Sequence, residues 1–430
     1  MIYETTFLVA LALAGMLLVV PRKYFVLPFI LGTCFLPADQ RIIIADLDFT
    51  VLRILVVAGV FRLWLRREIR AIRPNTFDKL LLAWAVTGAV IYVAQWQDTR
   101  SFIYKCGVLF DVLGMYWLFR QNIKSLDDIV LSFKALAGCA LLLVPFVAVE
   151  WATGKNPFVA LGTVGTAVRE GHYRCQACFP HSIMLGLFWG TLLPVFVGLA
   201  VRQEKKLFYV AASAACVFIV SSTASSTPIG TLVAIMLLLP LFPYRRYGRR
   251  IAWLMCGCLA GLHLVMQAPV WHLISRVNMV GGSTGWHRYF LIDQAVKHFN
   301  EWALLGTRNT AHWGRGLGDI TNQYVAEAVS GGLVTLVLFV CLMIFAAKIL
   351  GSYSLRLASK ANQWLMWCIC VSVLGHCIAF LGVGYFGQIR MLLYLMFGIV
   401  AAVYEMSHAS KRLPTRSYRK IPDGATLSVG

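Results

Sequence analysis

Residues 267–332 read QAPVWHLISRVNMVGGSTGWHRYFLIDQAVKHFNEWALLGTRNTAHWGRGLGDITNQYVAEAVSGG, a long polar stretch set between two hydrophobic runs. Connections in a compact domain are short, and long ones are usually functional or disordered. This one carries most of the histidines of the chain's second half, with Arg, Asn, Trp and Gly around them. The flanking runs, 251–266 and 333–350, are predominantly apolar. The stretch is therefore expected to be a large loop on a rigid membrane scaffold, which is where binding and catalytic residues concentrate.

The 430 residues are 59% hydrophobic and 13% charged, with a mean hydropathy of +0.72. A soluble domain carries about a quarter charged residues, so this is an integral membrane protein. The two-residue alternation of a membrane β-barrel is absent. Apolar runs lie at about 5–20, 25–37, 49–65, 80–93, 108–119, 130–151, 183–201, 207–223, 229–242, 251–266, 333–350, 364–381 and 389–404. The expected fold class is all-α: a polytopic transmembrane helix bundle of 12–13 spans, with two outer-face loops containing short amphipathic helices.

The net charge of +20 would suggest nucleic acid in a soluble protein, but here it falls in alternate connectors: Arg66 to Lys79, Arg120 and Lys124, Arg202 to Lys206, Arg245 to Arg250, and Lys348 to Lys360. Thirteen spans put every one of these clusters, and the basic tail 405–430, on the cytoplasmic side. The N-terminus is then outside, and the segments 152–182 and 267–332 are outer loops of one membrane domain, 1–430. The first run has no basic segment before it and no small-residue cleavage site after it, so it is read as a retained helix. With no P-loop and no soluble domain there is no support for an ATP-driven mechanism. No nucleic acid, cofactor or metal is expected, and the tail is expected to lie on anionic membrane lipid.

The first outer loop carries Arg169, Glu170, His172, Arg174, Cys175, Cys178 and His181 just before a span. Arginine on the outer face runs against the positive-inside bias. Its planar fork suits a phosphate or carboxylate, although anchoring to lipid phosphates uses the same chemistry. The His172, Cys175, Cys178, His181 spacing superficially suits zinc, but structural zinc sites combine two separated ligand pairs. A Cys175 to Cys178 disulfide and plain packing of both thiols remain open.

In the second outer loop, STGWHRYFLIDQAVKHFNEWALLG reads as an amphipathic helix capped by Ser283 or Thr284. Its apolar face would be Tyr289, Leu291, Ile292, Ala295, Val296 and Phe299, and its polar face Arg288, Asp293, Lys297, His298 and Glu301. Such a helix would lie on the membrane surface. Glycines 306, 314, 316 and 318 follow, and then Asp319, Asn322, Tyr324 and Glu327 lead into a span. A helix begun at Asp319 would carry Asn322 one turn on. Asp319, His312 and Glu327 are candidate acceptors for the proton of a hydroxyl nucleophile, each with a cap or surface carboxylate as the alternative.

In RCQACFPHSIMLGLFWGTLLP, HRYFLIDQAVKHFNEWALLG and DITNQYVAEAVSGGL, in that order and on the same face, the chain resembles the O-antigen ligase and polymerase superfamily. The resemblance covers roughly residues 169–339 and the topology. It implies an enzyme of the bacterial inner membrane that moves a glycan from an undecaprenyl diphosphate carrier to an acceptor glycan, for O-antigen or exopolysaccharide, beside other polysaccharide-assembly proteins. It implies that Arg174 and Arg288, with Arg169, hold the carrier diphosphate, and that a proton acceptor stands near Asn322. Where the family has His before Asn this chain has Thr321, which leaves Asp319 or His312 for that role. The SSTASSTPIG turn also lacks an Arg found in many relatives. Two other functions fit the composition: a transporter or flippase, against which stand the absence of an internal repeat and the scarcity of mid-span charges, since Arg53, Asp111, Lys134, Glu150 and Arg390 lie near span ends or at ambiguous positions, and a noncatalytic scaffold of an export complex.

Overall fold

The computed structural model describes residues 2–44, 47–202, 205–276 and 285–412. Each of the thirteen apolar runs falls on a helix: α1 (Glu4–Val19), α2 (Leu27–Phe35), α3 (Val51–Leu65), α4 (Thr76–Trp96), α5 (Thr99–Asn122), α6 (Leu126–Thr153), α7 (Ser182–Arg202), α8 (Lys206–Ser222), α9 (Ser226–Leu238), α10 (Gly248–Val265), and, past the long loop, α13 (Gln323–Ser354), α14 (Lys360–Ala379) and α15 (Ile389–Arg412). The loop itself adds α11 (Gly285–Lys297) and α12 (Phe299–Trp302). Among the described residues eight helical segments are long and apolar enough to cross a membrane, with α9 and α10 joined through 3-10 turns into one of them. The others are shorter. The nine residues of α2 rise about half the hydrocarbon thickness, and the chain completes its path with the 3-10 turn Arg22–Tyr24 before α2 and extended backbone after it.

Helix starts follow from local chemistry. Asn75 with Asp78 and Ser125 with Asp128 form capping boxes on α4 and α6, and Asp98 caps α5 through Ser101 N. Two small antiparallel ribbons stand outside the all-α expectation: β1 (Arg41–Ile44) with β2 (Leu47–Thr50), and β3 (Ala167–Arg169) with β4 (His172–Arg174). The core runs through the bundle around α7, where Phe188, Trp189, Leu192 and Phe196 are fully buried.

Side-chain bonds sort the connectors onto two ends. At one end Arg22 donates to Glu68 O (2.6 Å) and Gln121 O (3.0 Å). Arg120, 1% exposed, joins Asp78 and Glu405, Arg202 joins Asn362 (2.6 Å) and Asp127, and Arg245 bonds Gln363. At the other end Gln40 donates to Gly162 O (2.8 Å), Gln388 to Leu36 O (3.0 Å) and Cys178 O (2.8 Å), and Arg308 to Gln95 O (2.8 Å). The basic connectors thus share one end, and both long loops share the other. Of the mid-span charges, Arg53 and Asp111 neutralise each other as a bidentate pair (2.7 and 2.8 Å).

Candidate functional site

The β3–β4 ribbon is closed by Glu170 and Gly171, both at positive φ (50° and 77°). That is the backbone of a two-residue type I′ hairpin turn. Arg169 pairs across the ribbon with His172, and Ala167 with Arg174. Because opposed residues share a face and side chains alternate along a strand, Arg169, His172 and Arg174 project from the same side. The ribbon is held from below by Glu150, at the end of α6. Its buried carboxylate accepts from Thr166 Oγ1 (2.8 Å), Gln176 N (3.1 Å) and Ala177 N (2.9 Å). A charge read in the sequence as lying near a span end is therefore the anchor of the first loop.

Arg174 donates through Nη2 to Ser225 Oγ (2.8 Å) in the serine-rich turn after α8, and its buried Nε has no partner among the described residues. Arg288 lies on α11 and is only 8% exposed. Its Nε donates to Gly382 O (3.0 Å), so the helix turns this arginine into the bundle. The expected two faces are divided differently: Arg288 and Asp293 are buried together with Leu291 and Ala295, while Val296 and Phe299 face outward. The expected caps Ser283 and Thr284 lie outside the described residues.

Burial, and after it the charge of Arg169, pushes both Arg174 and Arg288 down from the ordinary arginine value. Arg169 thus lies within electrostatic reach of both Arg174 and Arg288, and among the described residues none of the three is ion-paired to a carboxylate. Such a cluster favours a multivalent anion. His181, just before α7, is held below the usual histidine range by burial first and Arg174 second, with Asp319 pulling the other way. Its Nδ1 accepts from Ile183 N (3.1 Å), which leaves Nε2–H as a donor toward the cluster.

The histidine makes a pH prediction. Its folded value lies below its unfolded 6.5, so the unfolded chain takes up the proton first. Stability from this group is complete above about pH 6.5 and declines as pH falls toward the folded value. The melting temperature of the purified protein should drop between pH 7.5 and 5, and the drop should be smaller in His181→Gln. Equal slopes in the two proteins would remove His181 from the buried cluster.

Asp319 is exposed, within electrostatic reach of His181, and its carboxylate has no hydrogen-bond partner among the described residues. It does not begin the helix: α13 starts at Gln323 and is capped by Asn322, whose Oδ1 accepts from Val325 N (3.0 Å) while Nδ2 donates to Leu381 O (3.1 Å). Asn322, 1% exposed, therefore has both polar ends engaged and sets the position of the 319–323 segment. His312 stands elsewhere. It bonds Glu301 Oε2 (2.9 Å) and packs near His298 and Trp313. Its partner Glu301 is held below the usual carboxylate range chiefly by the Trp313 indole N–H, then by His312.

Cys175 and Cys178 are free, fully buried thiols with separate partners, Cys178 donating to Cys34 O (3.1 Å). Burial pushes Cys175 up to about 12 and Cys178 higher, which suits packing and not redox chemistry. No grouping of three metal-ligating side chains occurs among the described residues.

Three participants escape a linear reading: Ser225, the anchoring role of Glu150 and the ribbon turn. Only the turn left a local mark, the Glu-Gly pair between short flanking segments. The fold and site together define a polytopic membrane helix bundle with, at its loop-bearing end, an arginine cluster that has no carboxylate partner among the described residues. No family model, no curated protein and no solved structure matches the chain.

Proposed function

We propose that the protein transfers or polymerises a glycan carried on an undecaprenyl diphosphate, with Arg169, Arg174 and Arg288 holding the diphosphate at the outer face of a bacterial inner membrane. The observation that carries this is the convergence of three arginines from two separate loops without a carboxylate ion-paired to them among the described residues. A diphosphate leaving group gains charge as the sugar departs, and fixed guanidinium donors stabilise that charge more in the transition state than in the ground state. His181 Nε2–H adds a neutral donor. Asp319 takes the proton of the acceptor hydroxyl: the hydroxyl oxygen bonds to the anomeric carbon as the bond to the carrier oxygen breaks, and the electron pair leaves with the diphosphate.

The test is an assay of the purified chain with undecaprenyl diphosphate-linked oligosaccharide and an acceptor glycan. Longer glycan and free carrier diphosphate are expected, and carrier hydrolysis or no product would refute transfer. Sidedness is checked separately. Reporter fusions after Lys79, Arg250 and Lys360 should register in the cytoplasm, and those within 152–182 or 267–332 in the periplasm. Reversal at any two sites would overturn the orientation.

A further inference from the structure

Between α4, α5, α13 and α15 lies a cavity of about 450 Å³, walled in part by Trp84, Tyr92, Tyr104, Tyr385 and Tyr394. Its size is that of a small-molecule site. Lys105, Glu327 and Arg390 line it from within helices otherwise built for lipid. Ionisable side chains at such places face cavities and mark what passes or binds there.

Glu327 Oε2 accepts from Trp84 Nε1 (3.0 Å) and Oε1 from Gln323 Nε2 (2.8 Å). Lys105 Nζ sits 4.1 Å from the centre of the Tyr92 ring, and Arg390 Nε donates to Tyr385 O (2.8 Å). Both cations lie within electrostatic reach of Glu327, yet among the described residues neither forms an ion pair with it. Exposed Arg308 stands at the lining's outer edge.

We infer that this cavity binds a carboxylate-bearing sugar unit of the acceptor glycan. Lys105, Arg308 and Arg390 against the single carboxylate of Glu327 leave the lining net positive, which favours an anion. Glu327 would repel a phosphate dianion but accepts hydroxyl protons, and a sugar acid supplies both groups at once. The aromatic side chains offer flat apolar faces to a sugar ring. A lipid chain satisfies none of these charges.

The cavity and the arginine cluster share two stretches of backbone. Asp319 and Gly382 belong to the cluster, whereas Gln323, Glu327 and Tyr385 belong to the cavity. The acceptor role rests on the transferase function proposed above, but the binding does not.

Binding is measured by tryptophan fluorescence on the full chain in lipid nanodiscs. The probes are trigalacturonic acid, its carboxyl-reduced neutral counterpart, and undecaprenyl phosphate. Saturable binding of the acid is expected, at least tenfold weaker for the neutral trisaccharide, and undisturbed by undecaprenyl phosphate. Arg390→Gln and Lys105→Gln should each weaken it about tenfold. Tyr104→Ala, at a residue 54% exposed, should weaken it without threatening the fold.

Arg174→Lys should bind the acid as wild type does. Equal binding of acid and neutral sugars, no binding of the acid, displacement by undecaprenyl phosphate, or unchanged affinity in folded Arg390→Gln and Tyr104→Ala would each overturn the inference. The two proposals fail separately. Acid binding without transfer refutes the transferase and leaves the cavity standing. Wild-type transfer to a uronate-containing acceptor by Arg390→Gln refutes the cavity and leaves the transferase standing.

Discussion

Arg288→Lys is expected to lower glycan transfer by about 10²–10³-fold while the protein still inserts and folds, the loss typical of removing one fixed donor from a developing oxyanion. Lysine keeps the charge but cannot keep the geometry. Arg288 uses its Nε on Gly382 O and leaves its terminal nitrogens to a ligand, a division of labour that needs a planar fork. Arg174→Lys should act similarly, because a lysine cannot keep the planar guanidinium that the Ser225 bond through Nη2 holds in place. Product formation in vitro and polysaccharide output in cells are the measurements, with melting temperature as the control for folding. Wild-type output from both variants would refute the diphosphate site.

The second large effect concerns Asp319. Asp319→Asn should reduce turnover by about 10²–10⁴-fold, the usual contribution of a general base, with expression near wild type. The helix start is not at risk, since Asn322 and not Asp319 caps α13. His312→Ala should leave turnover nearly unchanged, because His312 is committed to Glu301 outside the arginine cluster. An active Asp319→Asn with an inactive His312→Ala would transfer the role to His312. Full activity in both would mean that transfer proceeds by leaving-group stabilisation alone.

Much of the scaffold was legible because lipid imposes a simple rule, and long apolar runs such as 183–201 and 389–404 match α7 and α15 closely. Boundaries were less legible where polar groups enter a helix. The run at 108–119 hid the first turns of α5, which carry Arg100 and Lys105. The run at 333–350 covers only the later part of α13, which begins at Gln323 and not at the Asp319 start expected, and which passes through a kink at Gly332 (φ 68°) where a Cβ would collide with Leu304 O. Lys105 of the cavity lies in the turns of α5 that the apolar run missed, whereas Glu327 stood out in the sequence as a candidate acceptor.

The three arginines were legible because cations on the outer face are disfavoured unless used. Their convergence was not, because it depends on a hairpin turn, a buried Glu150 and an inward-facing α11 that no periodicity announces. The amphipathic pattern of α11 placed Arg288 on a wetted face. Tertiary packing draws Arg288 and Asp293 inward beside Leu291 and Ala295 and leaves Val296 and Phe299 exposed, while Lys297 and Glu301 stay outside as the pattern suggested.

The most direct measurement is the affinity of the purified chain in nanodiscs for undecaprenyl diphosphate against undecaprenyl monophosphate, in wild type and in Arg174→Lys and Arg288→Lys. A three-arginine site should prefer the diphosphate by at least about tenfold, and each lysine variant should lose that preference. Equal affinity for the two carriers in wild type, or an undiminished preference in both variants, would contradict the assignment of Arg169, Arg174 and Arg288 to the diphosphate.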